Sequence, residues 1–206
     1  YELAENAEKT YEYAIDNATI GISDVAGYTG TYDGSAHDVR IAGDAQTQGG
    51  MTATWKYSLN GIDGWSETLT LKDACESTMV HYRVTADNHD TADGTFTVTI
   101  AKRDISIAFD AVITYGDALP AVGSKLYTER VTGGSYATDE SFDCLGITID
   151  EITAEGYTAS SPVDNYVLRW SYSYNGTSGN YNVTAAAGTL TVSPLALTID
   201  IDNLTS

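Results

Sequence analysis

The residues best suited to nucleophilic chemistry are Ser35, His37 and Asp38, which lie close together in the sequence. A nucleophile, a base and an orienting acid must converge in space beside an oxyanion hole, and neighbours on one loop rarely do so. The chain has no G-x-S-x-G, H-E-x-x-H or C-x-x-C motif, and its other histidines, His81 and His89, are dispersed. We therefore expect a non-enzymatic chain without a catalytic triad, a zinc site or a cofactor.

Acidic residues suggest two further chemistries, glycoside hydrolysis and calcium binding. Residues 139–140 and 150–151 are Asp–Glu pairs, but adjacent side chains on a strand face opposite ways, so we interpret them as surface charge. Hard oxygen ligands for calcium occur at residues 87–90 and 200–203, without the spacing of an EF-hand loop. We expect weak adventitious cation binding and no dedicated metal site.

Aromatic side chains offer a third possibility, because sugar rings stack on aromatic faces. Leu168, Trp170, Tyr172 and Tyr174 share one face of a predicted strand, and Trp55, Tyr57 and Leu59 share a face on another. Large aromatic residues more often form the core, and we favour that interpretation for both stripes. The speculative binding residues are Trp55, Trp65, Trp170, Tyr172 and Tyr174.

Alternation of apolar and polar residues predicts the strands that must position these groups. It is clear at residues 80–86, 96–100, 105–109, 147–149, 168–174 and 190–192. Successive side chains on a strand point to opposite faces, so each run has one buried face. Turn-forming dipeptides lie at residues 33–34, 49–50, 60–61, 133–134 and 175–176. We predict an all-β chain of half-buried antiparallel strands, joined mostly as hairpins, in β-sandwich or related domains.

One phrase of the sequence recurs. TVTIAKRDISI at residues 97–107 returns as TLTVSPLALTI at residues 189–199, with the same alternation. An internal repeat indicates a sample from an array of modules and favours a structural or adhesive chain over an enzyme. The predicted organisation is a linker or short helix at 1–17, β modules at 18–103 and 104–194, and the start of a further repeat at 195–206.

Charge limits the partners. Lys and Arg number 10 against 29 Asp and Glu, a formal charge of −19 that repels nucleic acid and anionic membranes. No run approaches the roughly 20 apolar residues of a membrane span, so we expect no membrane insertion. Cys75 and Cys144 fall in different predicted modules, and a disulfide between them needs Cα atoms closer than about 7 Å. Two free thiols are the default interpretation, and whether Cys75 and Cys144 form a disulfide stays open.

Short motifs mark both predicted modules. The first carries YDGSAH at residues 32–37, WKYSLNG at 55–61 and YRVTADN at 82–88. With these motifs it resembles the Ig-like repeats of large Gram-positive surface proteins. The second carries TYGD at 114–117, NYNV at 180–183 and GTLTV at 188–192. With these it is similar to the MBG-type "YGX" repeats of bacterial adhesins and cell-wall proteins.

These resemblances imply an exported, wall-associated bacterial protein, with Ig-like sandwich modules that act as a stalk or as adhesion units and carry no catalytic residues. The implied partners are host glycan, mucin or matrix protein, together with neighbouring repeats of the same chain. One alternative is a glycan- or mucin-binding module, and another is a pair of accessory domains from a secreted glycan-degrading enzyme. The second module has a β-grasp-like alternative, which a helix within residues 139–145 would support.

Overall fold

The computed structural model describes residues 12–176 and 179–198, and these residues form β-strands with two short 3-10 helices and no α-helix. The predicted all-β fold class is confirmed. The strands are β1 (Gly21–Gly27), β2 (Thr29–Thr31), β3 (His37–Asp38), β4 (Arg40–Gln46), β5 (Thr54–Ser58), β6 (Thr70–Leu71), β7 (Cys75–Thr85), β8 (Ala92–Ala101), β9 (Arg103–Thr114), β10 (Tyr127–Gly134), β11 (Ile147–Ala154), β12 (Asn165–Tyr174), β13 (Tyr181–Ala185) and β14 (Gly188–Ser193). The 3-10 helices are Gln48–Gly50 and Phe142–Leu145.

Several predictions fall wholly or partly outside the described residues. They are the opening part of the linker or short helix at 1–17, most of the further repeat at 195–206, and the calcium-ligand candidates at 200–203. The described part of the predicted linker, residues 12–17, has neither helix nor strand.

The chain divides into two compact units that interleave along the sequence. Unit 1 comprises the described part of Tyr1–Tyr28 with Asp38–Thr70 and Thr78–Val98. Unit 2 comprises Thr29–His37, Leu71–Ser77 and the described part of Thr99–Ser206. The predicted modules, by contrast, are continuous stretches of sequence, and their boundaries stay a prediction.

Unit 1 contains an antiparallel pair of β1 with β4, and its strand β5 runs antiparallel to β7. Alternation buries one face of β7 and β8, as predicted; the buried apolar residues there are Val80, Tyr82, Val84, Phe96 and Val98. Each such side chain contributes roughly 1.5–3 kcal/mol when fully buried. Leu59, expected to continue the apolar face of Trp55 and Tyr57, is 50% exposed, because β5 ends at Ser58 and the chain turns there.

Unit 2 contains a six-stranded sheet with the order β10-β9-β14-β12-β11, and β13 also pairs with β9. Strand β9 runs antiparallel to β10 along one edge and parallel to β13 and then β14 along the other. The expectation of antiparallel pairing is wrong for the pair β9 and β13 and for the pair β9 and β14. Alternation records which face of a strand is buried, but it carries no information about the direction of the neighbouring strand.

The core of unit 2 lies against one face of this sheet. The predicted apolar runs are buried there; they include Ile105, Ile107, Phe109, Leu168, Trp170, Leu190 and Val192. The ring of Phe142, in the 3-10 helix Phe142–Leu145, lies 5.7 Å from the Phe109 ring and 6.5 Å from the Trp170 ring. A helix within residues 139–145 is the feature that the β-grasp-like alternative predicted. The turn predicted at 133–134 is wrong, since both glycines lie within β10.

Candidate functional site

A depression of about 360 Å³ on unit 1 is lined in part by an aromatic side chain, and we call it the Trp65 depression. Its lining combines one half-buried indole with a cation, a carboxylate and a histidine. The lining residues are Gly61, Trp65, His81, Tyr82, Arg83, Asp93, Gly94 and Thr95.

A hydrogen-bonded loop after β5 holds Trp65 in place. The Asn60 side-chain oxygen accepts the backbone N–H of Ile62 at 2.9 Å and of Asp63 at 3.1 Å. The hydroxyl of Ser58, which is buried, donates to the carbonyl of Asp63 at 2.6 Å. Trp65 Nε1 donates to the carbonyl of Ile62 at 3.3 Å. The indole is therefore attached to a loop whose polar groups are satisfied internally.

Gly61 allows this loop to lie against the neighbouring strand. Its φ is +71°, a left-handed conformation that favours glycine. A Cβ at this position would lie 2.7 Å from Nδ1 of His81 on β7. The Asn60–Gly61 turn, predicted from the sequence, thus brings the loop within contact of the histidine that lines the depression.

An arginine and an aspartate complete the depression. The guanidinium carbon of Arg83 lies 4.5 Å from the centre of the Trp65 ring, and Arg83 Nε donates to Asp93 Oδ1 at 2.8 Å. Both charged side chains are about half exposed, so their ion pair adds at most about 1 kcal/mol to stability. A guanidinium fork and a carboxylate beside an indole can donate to and accept from sugar hydroxyls.

Trp55, the second tryptophan of unit 1, is half-buried in a cluster of aromatic rings. Its ring lies 5.3 Å from that of Tyr82 and 6.4 Å from that of Tyr57. The guanidinium carbon of Arg40 lies 4.1 Å from its centre. Arg40 Nη1 is buried and has no hydrogen-bond partner, so the aromatic face is the main compensation for that buried cation. One face of Trp55 is therefore occupied.

Trp170 is buried in unit 2, with 7% of its surface exposed, and its Nε1 donates to the carbonyl of Ile107 at 3.0 Å. Its speculative binding role is wrong, because a buried ring has no face to offer a sugar. The half-buried Tyr172 donates to the carbonyl of Val183 at 2.6 Å, and its ring lies 5.4 Å from that of Tyr174. Burial, and then the interaction with Tyr174, raise the pKa of Tyr172 to about 12. Binding by Tyr172 and Tyr174 stays a prediction.

Glu140 forms a polar cluster in unit 2 that sequence analysis missed, and we call this group with Tyr32, Ala137 and Tyr181 the Glu140 cluster. The Tyr32 hydroxyl donates to Oε1 of Glu140, and the Tyr181 hydroxyl donates to Oε2. The backbone N–H of Ala137 donates to the Tyr181 hydroxyl at 2.7 Å. Interpreting Glu140 as surface charge was therefore wrong.

Burial defines the chemistry of the Glu140 cluster. Tyr32 is 2% exposed and Tyr181 is fully buried. Burial raises the pKa of Tyr181 to about 12; the Ala137 N–H opposes this rise, and the Glu140 carboxylate adds to it. Burial and Glu140 also raise the pKa of Tyr32. Both hydroxyls stay protonated at neutral pH and act as donors. Tyr32 belongs to the YDGSAH motif and Tyr181 to the NYNV motif. Membership of these motifs is the sequence feature that could have pointed to the two tyrosines.

The residues considered for a triad form a local turn instead. Asp33 Oδ1 accepts the backbone N–H of Ser35 at 2.8 Å and lies 2.9 Å from Nε2 of His37. The Ser35 N–H, followed by His37, lowers the pKa of Asp33.

The described residues also contain no cluster of three or more His, Cys, Asp or Glu side chains arranged to hold a metal ion. Cys75 and Cys144, both within the described part of unit 2, form no disulfide with each other. No helix in the described ranges is long and apolar enough to cross a membrane.

No family model and no curated relative matches this chain. Solved structures with some similarity include Drosophila N-cadherin EC1-4, at 10% identity and a TM-score of 0.31, and the human desmocollin-1 ectodomain, at 11% identity and a TM-score of 0.32. They cover 92% and 88% of this chain, which spans only 56% and 42% of theirs. The Clostridium thermocellum CbhA fibronectin(III)-like modules match with 10% identity and a TM-score of 0.24, covering 85% of this chain and 95% of theirs. TM-scores this low establish neither a common fold nor a common function.

Proposed function

We propose that this chain is a non-catalytic structural and adhesive segment, a stalk from the repeat region of a bacterial cell-surface protein. The observation that carries the proposal is the Glu140 cluster. Two motif tyrosines, Tyr32 and Tyr181, are buried with their hydroxyls directed at one carboxylate. Residues used in this way hold a fold together, which suits a structural segment.

The repeated phrase supports the same function. Residues 97–107 span the end of β8 and the start of β9, joined through Lys102 alone. The equivalent phrase at residues 189–199 begins in β14, and the described residues that follow, 194–198, form neither helix nor strand. A phrase repeated along the chain is typical of an array of modules, which suits a spacer.

An adhesive role has separate support from the Trp65 depression, and glycan or mucin is the second candidate function. Its Trp65, Arg83 and Asp93 side chains combine an aromatic ring with a hydrogen-bonding fork and a carboxylate. This combination recognises the apolar face and the vicinal hydroxyls of a sugar. A pair of accessory domains in a secreted glycan-degrading enzyme would use the same surface.

Binding measurements on the folded chain separate the two functions. The chain is tested against host glycans, mucins and matrix proteins beside a Trp65→Ala variant, with Ile62→Ala as a control, because Ile62 is 83% exposed on the same loop. Saturable binding that Trp65→Ala removes and Ile62→Ala retains makes the Trp65 depression the adhesive site. Absence of binding in a folded sample leaves the chain as a spacer.

A further inference from the structure

Strand β9 of unit 2 has β13 and β14, the last two strands of the described residues, parallel to it along one edge. Strand β13 lies beside its first part, where Tyr181 is opposite Arg103, and β14 lies beside its last part, where Val192 is opposite Ile113. The backbone N–H of Tyr115 donates to the carbonyl of Ser193 at 2.8 Å and extends the ladder beyond β9. Most of this edge of β9 is thus paired with β13 and β14.

Parallel pairing decides how the sheet responds to tension along the chain. A pull applied between Arg103 and Ser193 acts on the N-terminal end of β9 and on the C-terminal end of β14. Ser193 is opposite Thr114, so the two loaded points lie at opposite ends of β9, about 36 Å apart. The force therefore runs along the strands, and all hydrogen bonds between β9 and β14 are loaded together in shear. An antiparallel hairpin pulled at its open end instead loses its bonds one at a time.

The backbone direction of β14 shows which groups carry this load. Thr189 N–H donates to the Asp110 side chain of β9 at 2.8 Å, and Ser193 accepts from Tyr115. Val192 N–H donates the opposite way, to Asp164 at 2.9 Å. Because successive residues of a strand alternate in direction, the N–H and C=O of Thr191 also face β9.

Side chains on both neighbouring strands reinforce this pairing. Arg130 of β10 donates through Nε to Asp110 Oδ2 at 2.6 Å, and Asp110 Oδ1 accepts the Thr189 N–H. One carboxylate therefore links three adjacent strands. At Gly188 an added Cβ would lie 1.8 Å from the carbonyl oxygen of Phe109, so the start of β14 approaches β9 more closely than any larger residue permits.

We propose that unit 2 is a load-bearing shear clamp, in which the parallel pair of β9 and β14 resists tension between Arg103 and Ser193. This inference rests on the proposed stalk function and adds a mechanical task to it. Forced unfolding is governed by the barrier to strand separation and not by equilibrium stability, so the clamp is a property that folding free energies do not measure.

Single-molecule force spectroscopy on the full chain with two attachment geometries tests the clamp. Both use Ala101→Cys as one handle, in a background of Cys75→Ser and Cys144→Ser. The second handle is Leu195→Cys, which loads β9 and β14 in shear, or Ser135→Cys, which opens the β9–β10 hairpin from its free end. All three handle positions are exposed.

The clamp predicts a rupture force at least about twofold higher with the Leu195 handle than with the Ser135 handle, because bonds that yield together resist more than bonds that yield in turn. The segment from Arg103 to Ser193 reaches about 330 Å when extended, so rupture in the shear geometry lengthens the molecule by about 290 Å. Equal rupture forces in the two geometries would overturn the proposal.

A substitution within the ladder supplies an independent test. Thr191→Pro removes an N–H that faces β9, and we expect the shear rupture force to fall while the force for opening the β9–β10 hairpin is retained. Thr191→Val keeps the N–H and loses only the hydroxyl, which donates to Asn165 at 2.9 Å, and it should retain the shear force. An unchanged shear force in folded Thr191→Pro contradicts the clamp. If that variant does not fold, the comparison of rupture forces between the two geometries in the parent chain decides whether the clamp exists.

The outcomes also separate this inference from the proposed function. A low rupture force that is equal in both geometries, in a chain that binds none of the tested ligands, would contradict the shear clamp and would leave the function of a spacer that bears no load. A high rupture force in the shear geometry, together with glycan binding through Trp65, would rule out a role as spacer alone and would support the load-bearing role.

Discussion

Removing the hydroxyl of Tyr181 tests whether the Glu140 cluster holds unit 2 together. Tyr181→Phe keeps the buried ring, so the change is confined to one polar atom. That atom donates to Glu140 and accepts the N–H of Ala137, and its residue is fully buried. The substitution therefore removes two hydrogen bonds and adds no large cavity.

The expected loss of stability follows from the polar groups that Tyr181→Phe leaves without a hydrogen-bond partner. Loss of a hydrogen bond to a charged carboxylate costs about 1.5–3 kcal/mol, and a buried N–H without a partner costs about 1–3 kcal/mol. Glu140 retains the hydroxyl of Tyr32, which limits the first contribution. We expect Tyr181→Phe to lower the free energy of unfolding by about 2–4 kcal/mol.

Urea unfolding followed by circular dichroism measures this change as a shift in the midpoint at constant slope. Tyr166→Phe is the control, because it removes the same atom where the hydroxyl makes a single hydrogen bond, to the carbonyl of Pro162 at 2.8 Å, in an exposed setting. That control should cost at most about 1 kcal/mol. If Tyr181→Phe costs no more than Tyr166→Phe, the Glu140 cluster does not stabilise the fold and the argument from it fails.

Three further predictions concern other parts of the chain. The free energy of unfolding should decline as pH rises from 10 towards 12. Tyr181 gives up its proton near pH 10 in the unfolded chain but only near pH 12 in the folded chain, so the unfolded state binds fewer protons in that window. Unfolding midpoints measured across this range should move downward, and a flat profile would contradict the raised pKa. Gly188→Ala should cost about 3 kcal/mol or more because of the clash with Phe109, whereas Gly21→Ala, whose Cβ would meet its nearest neighbour at 3.6 Å, should change thermal stability little. A thiol reagent should modify the exposed Cys144 faster than the half-buried Cys75 in the native chain, and equal rates would place the two thiols in similar environments.

Sequence reasoning predicted the strands and their buried faces because alternation is a local property. Val80, Val84 and Ile107 are buried as their pattern requires, and the Asn60–Gly61 turn lies where the dipeptide predicts it. The same reasoning failed at 133–134, since two glycines also suit a strand whose backbone lies close to its neighbour. A Cβ at Gly134 would lie 2.2 Å from the carbonyl oxygen of Asp104.

Long-range pairing could not be predicted in this way. The parallel direction of β13 and β14 depends on how the chain returns to β9, which no local pattern records. The Glu140 cluster joins residues from three distant segments, and nothing in the spacing of Tyr32, Glu140 and Tyr181 relates them. The aromatic stripes were visible in the sequence, but only the sheet determined that Trp170 lies in the core while Trp65 borders an open surface.

The distribution of the three tryptophans gives each unit its own optical label. Trp170 is the single indole of unit 2, in a dry setting where its N–H bonds to a carbonyl. Trp55 and Trp65 belong to unit 1, each within 5 Å of a guanidinium carbon. In a chain with phenylalanine at positions 55 and 65, the emission maximum of Trp170 reports the melting of unit 2 alone. The order in which the two units lose their structure can therefore be read from intrinsic fluorescence, without any added dye.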